Sequence, residues 1–307
     1  MNNDVVLQPT RCAICGTVGN SVEKYSASFN FEDFNPATFS ARRLPDRIHY
    51  RIVKCKSCGL LRSDPIAPSE LLEQLYIKSH QTYNQEVGNL MLTYGHYLTK
   101  LDKFVLQKHA LLEIGCGSGF FLEQALKLGY KEVYGVEPSI RAVSKANPSI
   151  RSNIKLDIFR PGLFSENTFD VICFFQVFDH LIDPNASLSE CYRILKPGGL
   201  LLGLNHNSTS LSAKLLGERS PIIDIEHTYL YNPKTMSDII KKNRFHVIRT
   251  GAVWNKYSLQ YLFQIIPMLG KAKPILLELL RKTKIGQIQL KAFLGNLYII
   301  ARKNERV

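Results

Sequence analysis

The chain lacks any apolar run of the roughly 18–20 residues that a membrane-crossing helix needs. The nearest stretch, Tyr257 to Gly270, is short and broken by Gln260, Gln264 and Pro267. The start, Met1-Asn2-Asn3-Asp4, has neither the basic beginning nor the apolar block of a signal peptide. The expectation is a cytoplasmic protein whose thiols stay reduced. Low-complexity segments are also missing, and 45% hydrophobic with 21% charged residues is ordinary globular composition. That excludes a disordered, collagen-like or fibrous chain, and 307 residues suggest two or three structural units. Acids are scarce at one end. The net charge is +13, yet Lys241 to Val307 holds 14 basic residues against two acids, Glu278 and Glu305. A nearly neutral body therefore carries a basic C-terminal section. An anionic membrane (the inner face, for a cytoplasmic protein), a phosphate-bearing acceptor and nucleic acid all fit such a section. So does a solvated face with no partner.

Four of the seven cysteines form two turns, Cys12-Ala13-Ile14-Cys15-Gly16 and Cys55-Lys56-Ser57-Cys58-Gly59. Each Cys-x-x-Cys-Gly turn directs two thiolates at one point, and two such turns supply the ligands of a tetrahedral zinc. Four thiolates leave no open position, so Cys12, Cys15, Cys55 and Cys58 predict a structural metal in a zinc ribbon over 1–68. The long spacer between the pairs, with Phe29, Phe31, Phe34 and Phe39, predicts a hairpin insertion. Basic residues near the second pair, among them Arg42, Arg43, Arg47, Arg51, Lys54 and Lys56, are offset by Glu32, Asp33 and Asp46. That balance makes nucleic acid the weaker alternative for the ribbon.

A helical connector is expected over 69–107, with one helix from Ser69, its N-cap, to Lys78 and a longer one from Glu86 to Gln107. Strands and helices then alternate. Ala110–Ile114, Glu132–Val136, Asn153–Asp157, Phe169–Phe175 and Leu200–Leu204 read as strands, with helices at Phe120–Leu128 and after Asp183-Pro184. Alternation of this kind implies a doubly wound parallel sheet over 108–307. Phe245–Arg249 and Leu297–Arg302 add two strands, separated by a basic insertion at about 253–294 that reads as helical.

The sharpest signal is Gly115-Cys116-Gly117-Ser118-Gly119 after the first strand. These glycines let backbone approach a ligand, and the helix that follows offers free N–H groups. Glu137, at the tip of the next strand and followed by Pro138, is placed to bind a ribose diol. The G-x-G-x-G register and the preceding Glu113 distinguish this loop from a dinucleotide site. A carboxylate there suits a cationic amine or sulfonium.

Glu113-Ile114-Gly115-Cys116-Gly117-Ser118-Gly119 resembles the first motif of class I S-adenosylmethionine-dependent methyltransferases. Phe169-Asp170-Val171-Ile172, Phe178-Asp179-His180-Leu181-Ile182-Asp183-Pro184 and Ile194-Leu195-Lys196-Pro197-Gly198-Gly199-Leu200 resemble the later blocks, in order. The resemblance implies a Rossmann-like methyltransferase fold and S-adenosylmethionine as cofactor. It places Glu113 and the glycine loop (Gly115, Cys116, Gly117, Gly119) at the methionine part. Glu137 and Pro138 fall at the ribose, Asp157 and Ile158 beside the adenine, and Gln176 at the methionine end. Cys116 doubles as a small packing residue. The family's usual Glu-His pair is Asp179-His180 here. The Lys256-Tyr257-Ser258-Leu259 region resembles methyltransferases of bacterial surface-polysaccharide synthesis, and a zinc ribbon ahead of the domain is similar to that of sugar methyltransferases. Together these resemblances imply a glycan precursor or nucleotide sugar as acceptor, with a sugar hydroxyl favoured and carbon or nitrogen as alternatives.

Methyl transfer needs an in-line nucleophile and a base to take its proton. The candidates lie after the fifth strand. His206 sits at that strand's tip, and Asp224, Glu226 and His227 follow in the next loop. His227 is ranked first because related small-molecule methyltransferases carry a His before an aromatic-Pro-x-Thr segment. Two alternatives stand beside a small-molecule methyltransferase: an RNA methyltransferase that grips phosphates, and a noncatalytic cofactor-binding scaffold.

Overall fold

The computed structural model describes residues 5–40, 46–79, 87–105, 107–265, 272–293 and 295–304. Arg42, Arg43, Glu86 and Lys271 lie outside them. In chain order the elements begin with β1 (Ser21–Tyr25), β2 (Ile52–Cys55), β3 (Leu61–Ser63), α1 (Ser69–Ile77) and α2 (Val87–Thr99). Then come β4 (Ala110–Ile114), α3 (Phe120–Lys127), β5 (Glu132–Val136), α4 (Ile140–Val143), α5 (Pro148–Arg151), β6 (Ile154–Lys155) and β7 (Phe169–Phe175). They continue with α6 (Pro184–Ile194), β8 (Leu195–His206), α7 (Leu211–Leu216), β9 (Tyr229–Leu230), α8 (Pro233–Lys242) and β10 (Phe245–Ala252). The last are β11 (Asn255–Ser258), α9 (Leu259–Ile265), α10 (Ala272–Lys282), β12 (Gln289–Ala292) and β13 (Asn296–Lys303).

The main sheet has the order β10-β13-β8-β7-β4-β5-β6. Its β8, β7, β4, β5 and β6 are mutually parallel, and β13 is antiparallel to both β8 and β10. The continuous apolar run of β7 fits a strand covered on both faces. Its Val171, Cys173 and Phe175 join Phe121, Leu122 and Tyr97 on one side, while Phe169, Ile172 and Phe174 join Leu188, Ile194 and Ile239 on the other.

Several boundaries differ from expectation. Pro68, not Ser69, occupies the N-cap of α1, and no side chain caps that end. The helix expected to reach Gln107 gives way after Thr99 to a tight 3-10 turn at Lys100–Lys103, which seats Leu101 fully in the core. The expected strand at 153–157 pairs only at Ile154–Lys155. The insertion is only partly helical: β11 and β12 form an antiparallel hairpin from Asn255↔Ala292 to Ser258↔Gln289.

The N-terminal unit does not stand alone. β9, which follows all five parallel strands in the chain, pairs with β3 in the sheet β1-β2-β3-β9. Cys12, Ala13, Cys55 and Leu60 share a buried cluster with Ile239 and Phe174. The cysteine turns are thus fused to one face of the main core.

Candidate active site

One cavity of about 650 Å³ opens at the carboxyl ends of the parallel strands. Gly115, Gly117, Glu137, Pro138, Ile158 and Gln176 line one end of it. Gly115 has φ +72, and a Cβ there would stand 2.4 Å from Val177 Cγ2, so the turn tolerates no other residue. Glu137 accepts hydrogen bonds from the N–H groups of Gly117 (2.9 Å) and Ser139 (2.9 Å). This ties the tip of β5 to the glycine loop. Burial pushes the Glu137 carboxyl up from its ordinary value, against the pull of those two donors. Gln176, just past β7, has φ +58, a region a non-glycine residue seldom adopts, and its Oε1 is buried without a hydrogen-bond partner. A bent backbone and an unanswered acceptor on a cavity wall suit a ligand's donor.

Four residues assigned to the cofactor end do not line the cavity. Glu113 lies beneath the turn, buried, with Oε2 unpartnered. Burial first, and then the charge of Glu137, raise its carboxyl well above the usual range. Cys116 packs under the loop, where its sulfur would stand 2.4 Å from a Cβ on Gly135. Gly119 caps α3 at φ +74 against Ile150. The Asp157 carboxylate turns to its own loop, binding Ile158 N (2.8 Å) and Arg160 Nη2 (2.8 Å).

At the other end the structure brings His206, His227, Asp224 and Glu226 together on one wall, with His180 and Tyr76. Asp179 sits behind the imidazoles, fully buried. Its Oδ2 lies 2.6 Å from His206 Nδ1 and 3.8 Å from His227 Nε2, and His180 Nε2 is 3.6 Å from its Oδ1. Burial would raise the Asp179 carboxyl, but His227, His206 and His180 together hold it well below the usual carboxylate range. Three chain segments meet here: the turn after β7, the tip of β8 and the loop before β9.

The two leading histidines differ. His206 is a quarter exposed at its side chain, with Nδ1 held by Asp179. His227 is 5% exposed, and its Nδ1 lies 2.8 Å from the Ile222 carbonyl. Its own carbonyl accepts from Ser63 Oγ (2.7 Å), and Thr228 N donates to the Asp179 carbonyl (2.8 Å). His227 therefore ties its loop to β3, and His206 is the more reachable base. Asp224 Oδ1 accepts from Glu226 N (3.1 Å), which braces that loop. Sequence reasoning noted the Asp179-His180 departure but missed Asp179 as the partner of His206.

Two groups have metal-ligand character among the described residues. The four thiols of Cys12, Cys15, Cys55 and Cys58 lie within 4.8 Å of one another, with Cys12–Cys58 at 3.4 Å and Cys15–Cys55 at 3.5 Å. A tetrahedron with ~2.3 Å metal–sulfur bonds sets its sulfurs about 3.8 Å apart, so the cluster fits zinc. Asp179, His206 and His227 also converge. There the 2.6 Å contact uses one atom of Asp179 and one of His206 as a hydrogen bond, which marks a carboxylate–imidazole dyad.

Residues 112–203 match the family model described as a methyltransferase domain. Over 161 residues the chain is 30% identical to the ubiquinone biosynthesis O-methyltransferase of Cereibacter sphaeroides (strain ATCC 17029 / ATH 2.4.9), covering 48% of this chain and 65% of the relative. Over 119 residues it is 35% identical to an uncharacterized methyltransferase of Schizosaccharomyces pombe, covering 33% of this chain and 41% of that protein. The chain thus spans less than two thirds of the length of these curated relatives. Among solved structures it is similar to a chain in the complex of the Haloferax volcanii Trm112 methyltransferase activator, with TM-score 0.51, 16% identity, and 73% of this chain and 95% of that one covered. Residues 112–203 therefore carry a methyltransferase domain, set in a mixed α/β, Rossmann-like methyltransferase fold.

Proposed function

We propose that the protein transfers a methyl group from S-adenosylmethionine to an oxygen of a small molecule or glycan precursor, a sugar hydroxyl in the first instance. The observation that supports this reading is the convergence of two chemistries on one cavity: the glycine loop with Glu137 at one end, and the Asp179–His206 pair at the other. The cofactor supplies a methyl already activated on a sulfonium. Glu137 takes the ribose hydroxyls, since a carboxylate bound to two N–H groups keeps acceptor capacity to spare. Glu113 and Gln176 present unanswered oxygens beneath and beside the loop, where a cationic ammonium or sulfonium offsets their burial. At the other end His206 takes the proton of the acceptor hydroxyl on Nε2, while Asp179 holds Nδ1–H and thereby fixes tautomer and ring orientation. The cysteine turns hold a structural zinc that braces the acceptor end through β3. The relative named as a ubiquinone biosynthesis O-methyltransferase is consistent with a small-molecule hydroxyl acceptor. The test is mass spectrometry of a metabolite extract incubated with protein and isotope-labelled methyl donor. One labelled product, lost in His206→Ala, is the expected outcome; cofactor binding with no S-adenosylhomocysteine formed from any extract would leave only a scaffold.

A further inference from the structure

The insertion between β10 and β13 exposes apolar side chains at a density found nowhere else among the described residues. Ile275 is 74% exposed, Leu279 59% and Trp254 58%, and Ile285, Ile288 and Leu290 are exposed as well. On α10 Ile275 and Leu279 are one turn apart on one face, and Lys282 follows at the next turn. The inward positions are taken: Leu280 is buried, closely packed on Gly286. The outward apolar row is therefore surplus to the fold. Exposed cations accompany it. Arg281 and Lys282 are 70% and 73% exposed, Lys284 and Lys291 also face solvent, and Glu278 is the only acid on α10.

A short neighbouring helix continues the surface. On α7 Leu211 (67%) and Leu215 (77%) stand in solvent. The start of α7 abuts the base of the insertion, where a Cβ on Gly295 would lie 2.7 Å from Ser210 Oγ and Ser212 Oγ. Both elements also frame the cavity: Ser212 and Leu216 line it from α7, and Tyr257 and Tyr261 from the insertion.

Large apolar groups interleaved with cations restrict the partner. A symmetric contact between two copies would set this basic surface against itself. The core of a protein interface is depleted in lysine. A bilayer interface accepts both parts at once, apolar side chains at the acyl boundary and cations among anionic headgroups. No helix among the described residues is long and apolar enough to cross a membrane, so the contact is peripheral. We propose that the insertion, with α7, docks this protein on an anionic lipid bilayer and holds the cavity mouth beside it.

Trp254 is the only tryptophan of the chain and stands in the surface, so the full protein carries its own probe. Its emission is followed with phosphatidylcholine vesicles and with vesicles that also contain phosphatidylglycerol, each with and without brominated acyl chains. The expected result is a blue shift and bromine quenching with the anionic vesicles only, reversed at high salt. An Ile275→Asp, Leu279→Asp double variant loses both signals, and Arg281→Glu with Lys282→Glu weakens partition by about tenfold or more. All four positions are exposed, and unchanged thermal melts check that the variants fold. Absence of a shift with anionic vesicles at low salt overturns the proposal. So does equal binding to both vesicle types, or a shift that grows with protein concentration in the absence of lipid, which would assign the surface to a second copy. The readout is bilayer contact alone and stands or falls apart from methyl transfer.

Discussion

The two ends of the cavity treat buried carboxylates in opposite ways. At the glycine loop, burial pushes Glu113 up, with the charge of Glu137 adding to it, and burial pushes Glu137 up against two backbone N–H donors; among the described residues no salt bridge answers either one. At the far end, Asp179 is buried as deeply, yet three imidazoles hold it down. The first end is electrostatically incomplete without a cation from outside. The second surrounds its carboxylate with three imidazoles. A site for a cationic cofactor beside a self-contained proton-handling pair has this division.

The largest expected effect separates the two ends outright. His206→Ala should cut turnover by about 10²–10⁴-fold, the range for a lost general base, while calorimetry finds cofactor affinity unchanged. His227→Ala is the control. Its hydrogen bond to Ile222 predicts a loss of thermal stability ahead of any specific loss of rate. A larger rate loss at His227 than at His206, in folded protein, would return the base role to His227.

Next in size is the effect of the cysteine cluster. Cys55→Ser should take the zinc content from about one per chain to none by elemental analysis, because one missing thiolate opens the site. β3 lies between β2, which ends at Cys55, and β9, and its Ser63 holds the His227 carbonyl. The damage should therefore reach the acceptor end first, with turnover down about 10²-fold from misplacement and cofactor affinity little changed. Equal losses at both ends would show that the ribbon supports the whole domain.

The same contrast explains what was legible in the sequence. The cofactor end is local: Gly115 to Gly119 are consecutive, and Glu137 follows one strand later. Spacing alone therefore brought Gly115, Gly117 and Glu137 to one cavity wall, although it could not show that Cys116 and Asp157 turn away from the cavity. The acceptor end joins positions 76, 179, 206 and 227, whose proximity depends on sheet order and on β9 crossing to β3. Candidate histidines could be named, but not the carboxylate behind them. A run of Phe-Asp-His in place of the family's Glu-His was the only trace of Asp179. The fold was legible for the same reason as the cofactor end, since the alternation of strands and helices is written in short segments. The hairpin in the insertion was not, because Asn255 and Ala292 pair across 36 intervening residues.

A smaller effect tests the incomplete end. Glu137→Ala should weaken S-adenosylmethionine or its demethylated product by about 1–3 kcal/mol, the cost of a lost charge-assisted partner. It also frees the Gly117 and Ser139 N–H groups, so some of that loss reflects a looser loop. Turnover at saturating cofactor should fall less than in His206→Ala. Tight binding of a nicotinamide dinucleotide in its place would overturn the assignment of this end.

The smallest effect lies at Glu113 and turns on sign. A carboxyl whose pKa is higher folded than unfolded binds its proton more readily in the fold. Ligand-free stability contributed by Glu113 therefore rises as pH falls through the folded value toward the unfolded one, and the penalty is fully present above the folded value. Asp179 runs the other way: its contribution is present above the unfolded pKa and lost as pH falls toward its depressed folded value. Glu113→Gln removes the first dependence and leaves the second. At neutral pH the ligand-free variant should melt slightly higher than wild type, by no more than about 1 kcal/mol of stability. Cofactor should stabilise it less, because the buried charge that the cation offsets is gone. Melts from pH 5 to 8, with and without S-adenosylhomocysteine, measure both. If the ligand-free variant is instead less stable across that range, the Glu113 carboxylate is answered inside the fold, and the contrast between the two ends fails at its deepest residue.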